Sequence, residues 1–206
     1  VFANGKPIYH DLASPERYSL LYGPLPYILT GASLKLFGPG VFASKIPAAV
    51  SSMLLIIVMG SMFSKKWGVA AGLFLTVIAI WLILALDPVL FTIRADCYIA
   101  LAVVAALAGM ECGGVFPVTV VVGCAMAAAF LCKAHAVLYF LPVLYLLYAG
   151  KGVRTVMLSL AVMCAGAALP FMTPDISFGN YLLWLRCAAS HGIGAFVFLR
   201  NAECLL

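Results

Sequence analysis

Residues 115–149 read VFPVTVVVGCAMAAAFLCKAHAVLYFLPVLYLLYA, a nearly unbroken apolar run carrying Lys133 and His135 near its middle. A single helix over these residues would be about 52 Å long, far more than the roughly 30 Å hydrocarbon core of a bilayer. A reversal at Cys132-Lys133-Ala134-His135 makes two segments of crossing length and brings both polar side chains to the bilayer edge. Charge is much less costly there than at mid-depth. The run therefore favours a hairpin turning at 132–135.

The rest of the chain has the same character. Of 206 residues, 66% are hydrophobic and 9% charged, and mean hydropathy is +1.15. A soluble domain could not cover so much apolar surface, so the expected class is an all-α, polytopic transmembrane helix bundle. Six spans are predicted, at about 41–64, 68–86, 95–110, 115–132, 134–149 and 155–172. Gly109, Gly123 and Gly166 within them suit close helix packing. The start at Val1 without Met suggests a piece of a longer protein, and residues 1–26 do not read as a signal peptide.

Residues 1–40 form a separate unit, read as an external loop with an interfacial helix. They hold five of the eleven prolines (Pro7, Pro15, Pro24, Pro26, Pro39), with Asn4, Gly5, Asp11, Ser14 and Glu16 among them. Such composition favours turns and extended backbone. Tyr22-Gly-Pro-Leu-Pro26 suits a rigid lip at the membrane surface or an ordinary turn before a helix. The apolar run Tyr27–Phe37, closed by Gly38-Pro39-Gly40, covers about 17 Å as a helix and is read as interfacial or re-entrant. Residues 41–172 are the six-span module. Residues 173–206 begin another external loop whose Phe178, Tyr181, Trp184 and neighbouring leucines suit an interfacial helix.

Basic residues in short loops prefer the cytoplasm. Lys65 and Lys66 lie between the first two spans, Lys151 and Arg154 between the last two, and they share a side only if 132–135 is a true turn. With both inside, residues 1–40, the 87–95 loop, the 132–135 turn and the tail after Leu169-Pro170 face outward. Six of the seven acidic residues then lie outside, as do eight of the twelve basic ones.

On that outer side stand Asp11, Glu16, Arg17, Asp87, Arg94, Asp96, Lys133, His135, Asp175, Arg186 and His191. Lys133 and Arg94 suit the phosphate of an amphiphile, because a cation at the bilayer edge meets the head group while the tail stays in hydrocarbon. Asp96 could hold the Arg94 guanidinium or contact a sugar. The plainer alternatives are a snorkelling Lys133 and a local Arg94–Asp96 structural pair. His135 has no second ligand at helical spacing. No Cys-x-x-Cys pair, nucleotide loop, nucleophile elbow or zinc signature occurs, and the net charge of +5 forms no run that suits nucleic acid. No cofactor is expected, and a divalent metal is left open.

Four stretches carry a resemblance. They are Gly5-Lys-Pro-Ile-Tyr9-His-Asp11 with Tyr22-Gly-Pro24-Leu-Pro26 and Leu36-Phe37-Gly38; Arg94-Ala-Asp96; Leu131-Cys-Lys133 followed by Pro142; and Leu169-Pro170 with Ser177-Phe178-Gly-Asn-Tyr181, Trp184 and His191. In this order the chain resembles the GT-C type membrane glycosyltransferases, in the branch of the protein O-mannosyltransferases and the lipid A aminoarabinose transferase. The resemblance implies transfer of a sugar from a polyprenyl-phosphate carrier to a protein or glycolipid acceptor at the outer or lumenal face. It points to the plasma (bacterial inner) membrane rather than the ER. It implies Lys133 and Arg94 as lipid-phosphate ligands and Asp96, Tyr22 and His135 as substrate contacts. The family's catalytic aspartate would precede Val1, leaving Asp11 as the stand-in, and the first helix and C-terminal half would be missing. Tyr22-Gly23 departs from the Glu-Lys of the aminoarabinose branch. Two other classes stay open, a transporter or flippase of an amphiphilic phosphate and a non-catalytic membrane assembly subunit.

Overall fold

Backbone polar groups in hydrocarbon must be satisfied within the protein, which drives so apolar a chain towards helices. The computed structural model describes residues 5–11, 13, 22–86, 95–111 and 113–190, and among these there are helices but no strands. In chain order they are α1 (Pro24–Phe37), α2 (Val41–Trp67), α3 (Val69–Leu86), α4 (Asp96–Met110), α5 (Val115–Cys132), a 3-10 segment (Ala134–Phe140), α6 (Leu141–Lys151), α7 (Val153–Ala168), a 3-10 turn (Leu169–Met172) and α8 (Phe178–Ser190). Four segments are long and apolar enough to cross a membrane, as an integral membrane protein requires: Val41–Trp67, Val115–Cys132, Ala134–Lys151 and Val153–Met172. Val69–Leu82 and Asp96–Met110 are shorter apolar helices.

The 115–149 run does reverse. α5 stops at Cys132, and Lys133 takes extended angles, φ −148° and ψ 126°. A straight continuation would carry Lys151 about 28 Å past Cys132. Instead Lys151 and Arg154 line a groove with Val115 and Phe116, at the opposite end of α5. α6 therefore runs back along α5. Gly152, at φ 84°, ends α6 by donating its N–H to the Tyr148 carbonyl at 2.9 Å, a left-handed cap that a side chain would strain. α7 follows at once and runs parallel to α5.

The returning segment is not the uniform helix expected for 134–149. Pro142 has no N–H for the Leu138 carbonyl, which accepts the Leu141 N–H instead. That is the i→i−3 spacing of a 3-10 helix. At about 2.0 Å per residue in the 3-10 part and 1.5 Å in α6, the segment extends about 30 Å, a bilayer core. α1 likewise starts at Pro24 rather than near Tyr27. First-turn N–H groups have no intrahelical partner, so prolines cost little there.

Helix packing uses small residues, as expected of apolar helices in lipid. A Cβ on Gly123 would lie 2.7 Å from the Ser159 carbonyl oxygen, and one on Gly166 would lie 3.0 Å from Ala127. Tyr98, Ala102 and Ala106 of α4, Val118, Val122 and Met126 of α5, and Phe140, Val143 and Leu147 of the returning segment form the main core. Large side chains such as Phe74, Val77 and Trp81 of α3 face outward.

Two ends result. Lys65, Ala108 and Glu111 share one cleft, and Lys151 and Arg154 stand beside Val115, so the turns after α2, α4 and α6 lie together. Asp96, Lys133 and Tyr22 meet at the other end.

Candidate functional site

Lys133 and Asp96 sit at helix ends whose backbone dipoles suit their charges. Asp96 is the first residue of α4, where unpaired N–H groups favour an anion, and Lys133 caps the C-terminus of α5, where free carbonyls favour a cation. Core packing of α4 on α5 brings the two ends together. Lys133 Nζ donates to Asp96 Oδ1 at 2.5 Å, with the side chains 15% and 21% exposed. The backbone beneath is held on both sides: the Lys133 N–H donates to Ala129 and its carbonyl accepts the Ala136 N–H, at 3.0 and 2.9 Å.

Tyr22 completes the cluster, its ring centroid 5.3 Å from Lys133 Nζ, within cation–π range. The chain reaches this place because Gly23 presses onto the end of α5. Its N–H donates to the Cys132 carbonyl at 2.8 Å, and a Cβ there would collide with the Leu131 backbone carbonyl. From behind, the Tyr9 hydroxyl donates to the Tyr22 carbonyl at 2.8 Å. Tyr9 is buried with Ile8, Ile176 and Tyr181. Burial, reinforced by the neighbouring Tyr181 and Tyr27 hydroxyls, pushes its phenol far above the usual tyrosine range, so it stays a neutral donor. Residues 8–10 are tied to the α8 region by Ile8 N–H to Asp175 O (3.1 Å), Asn180 Nδ2 to Tyr9 O (3.1 Å) and Trp184 Nε1 to His10 O (3.0 Å).

Of the residues nominated from the sequence, the structure thus brings together Lys133, Asp96 and Tyr22. Asp96 meets Lys133, a pairing the sequence had not offered; Arg94, its expected partner, lies outside the described residues, as do Glu16, Arg17, Asp87 and His191. His135 is exposed on the 3-10 segment, edge-on to Tyr139 with centroids 6.2 Å apart. Asp11 is exposed, and its Oδ1 accepts the Ala13 N–H at 2.9 Å in a local turn. Tyr9 and Gly23 were missed. Both lie in stretches that carry the resemblance, but neither was nominated for the site.

The ammonium spends one N–H on Asp96, and the Tyr22 ring covers another side. Charge-assisted bonds of this kind are stronger than neutral ones and hold the ammonium at the end of α5. Among the described residues no three His, Cys, Asp or Glu side chains are grouped to hold a metal. No family model, curated protein or solved structure matches this chain.

Proposed function

We propose that the chain belongs to a membrane glycosyltransferase that moves a sugar from a polyprenyl-phosphate carrier to an acceptor at the outer face. In this reading α2 to α7 make six crossings, α1 and α8 lie in the outer interface, and Lys133 with Arg94 holds the carrier phosphate. The observation that carries it is the Lys133–Asp96–Tyr22 cluster at the end of an apolar helix, where a phosphate can be neutralised beside lipid. An apolar groove of about 510 Å³, lined by Phe130 near the end of α5, Ala168 at the end of α7, Phe171 and Phe178, would suit part of a polyprenyl chain.

The acceptor oxygen attacks the anomeric carbon as the bond from that carbon to the phosphate oxygen breaks, inverting the centre. Charge gathers on the departing polyprenyl phosphate, and Lys133 stabilises it more than it stabilised the bound carrier. Asp96 keeps the ammonium aimed, and Tyr22 narrows its approach. The acceptor's proton passes to a carboxylate, with Asp11 the described candidate.

The test is incubation of the full-length protein with a labelled polyprenyl-phosphate sugar. Cleavage of the carrier with label passing to an acceptor supports transfer. Carrier moved intact across vesicles indicates a transporter, and neither outcome indicates an assembly subunit. Loss of one transition-state donor typically costs 100-fold or more in rate. Lys133→Ala should therefore lose about that much transfer while expression persists, and unchanged turnover would remove Lys133 from the mechanism.

A further inference from the structure

The end of the bundle opposite Lys133 carries more basic than acidic side chains among the described residues, Lys65, Lys151 and Arg154 against Glu111. α5 and α7 run parallel, so both present their N-termini there, and neither has a side-chain cap on its first N–H groups. Such termini attract phosphate. Lys151 and Arg154 stand beside them, exposed and without a salt bridge among the described residues. Between the two helices runs a groove of about 650 Å³ whose wall, beyond these two cations, is almost wholly apolar, including Val120, Leu158 and Val162. From Arg154 to Ala165, both in its lining, it extends about 16 Å, close to half the hydrocarbon thickness. Two threonines, Thr119 and Thr155, interrupt the wall. The Thr119 hydroxyl is buried with no hydrogen-bond partner, whereas Thr155 and Ser159 nearby donate to the Lys151 and Thr155 carbonyls. Thr119 lies about 6 Å below the start of α5, the depth at which a phospholipid carries its ester carbonyls.

We infer that this groove is a binding site for an anionic phospholipid of the leaflet on the basic side. Its phosphate sits on Lys151, Arg154 and the N-terminus of α7, and one acyl chain lies in the furrow along the α5–α7 seam. Charge complementarity selects the occupant: a zwitterionic lipid would fill the groove equally well, but its own head-group cation offsets the phosphate charge that Lys151 and Arg154 attract. The site is separate from the Lys133 cluster and does not depend on what that cluster does.

The test uses the full-length protein in phosphatidylcholine nanodiscs, with Leu158→Trp as a reporter and the parent protein as background. Brominated-chain phosphatidylglycerol or brominated-chain phosphatidylcholine is added at equal mole fraction. The phosphatidylglycerol should quench the reporter preferentially. Lys151→Gln with Arg154→Gln should cut that preference about 25-fold, at about five-fold for each cation near a membrane surface. Ala161→Phe, which fills the groove without changing charge, should abolish it. Equal quenching by the two lipids, or a preference surviving the double glutamine variant, would overturn the inference. Both cations are exposed, so the glutamine variants should fold, and retained parent-like melting verifies this independently of any transferase activity.

Discussion

Removing the Lys133 ammonium would take from the Asp96 carboxylate, 21% exposed, the cation that donates to its Oδ1. Losing one member of a desolvated pair generally costs more than losing both. Lys133→Ala should therefore lower stability by about 1–3 kcal/mol, and adding Asp96→Asn should recover most of it in thermal melts while transfer stays lost. If the double variant melts no higher than Lys133→Ala, the pair is not the stabilising unit. Tyr9 gives a pH signature. Its folded-state pKa lies above the ordinary value of 10.0, so folding favours the protonated phenol. That contribution is fully present below pH 10 and declines as pH rises above it. Alkaline titration should release residues 8–10 from α8, seen in the fluorescence of Trp184, whose indole donates to His10. Tyr9→Phe should move the transition to higher pH, and an unmoved transition would assign it to another group.

At the scale of elements, the prolines show how a lost donor is answered. Pro47 lies inside α2 and has no N–H to give to the Ala43 carbonyl. The Ser33 hydroxyl of α1 donates to that carbonyl at 2.6 Å, binding α1 to α2 where α2 is weakest. Ser33→Ala should cost about 1–2 kcal/mol by leaving the carbonyl buried and unsatisfied. In a Pro47→Ala background the same change should cost far less, because residue 47 then supplies the bond. Equal costs in both backgrounds, measured by denaturant unfolding, would disprove the link. Pro142 works differently: the chain upstream tightens into a 3-10 segment, which lengthens the returning leg toward bilayer thickness.

At the scale of the whole molecule, the parallel α5 and α7 and the grouped turns set one basic end against the Lys133 end. If the chain crosses the membrane as proposed, Lys65, Lys66, Lys151 and Arg154 lie inside and His135 outside. With the native cysteines replaced, Lys66→Cys and Lys151→Cys should resist an impermeant thiol reagent in intact cells, and His135→Cys should react. Labelling of 66 and 151 from opposite sides would contradict the antiparallel order of the segments.

The helices, their approximate limits, the reversal at 132–135 and the glycine contacts were legible in the sequence. Each depends on nearby residues and on the cost of leaving polar backbone or charge in hydrocarbon, a cost that local composition reveals. The early start of α1 and the 3-10 segment were harder to read, because proline's effect depends on which carbonyl it leaves without a donor. Lys133, Asp96 and Tyr22 could be nominated singly, but Asp96 and Lys133 are 37 residues apart and no spacing rule joins them. Only the tertiary structure made that pair, pressed Gly23 onto the end of α5, set Tyr9 behind Tyr22 and aligned two helix N-termini beside Lys151 and Arg154. These are meetings of segments remote in the chain, and helix packing decides them because it alone fixes which ends lie side by side.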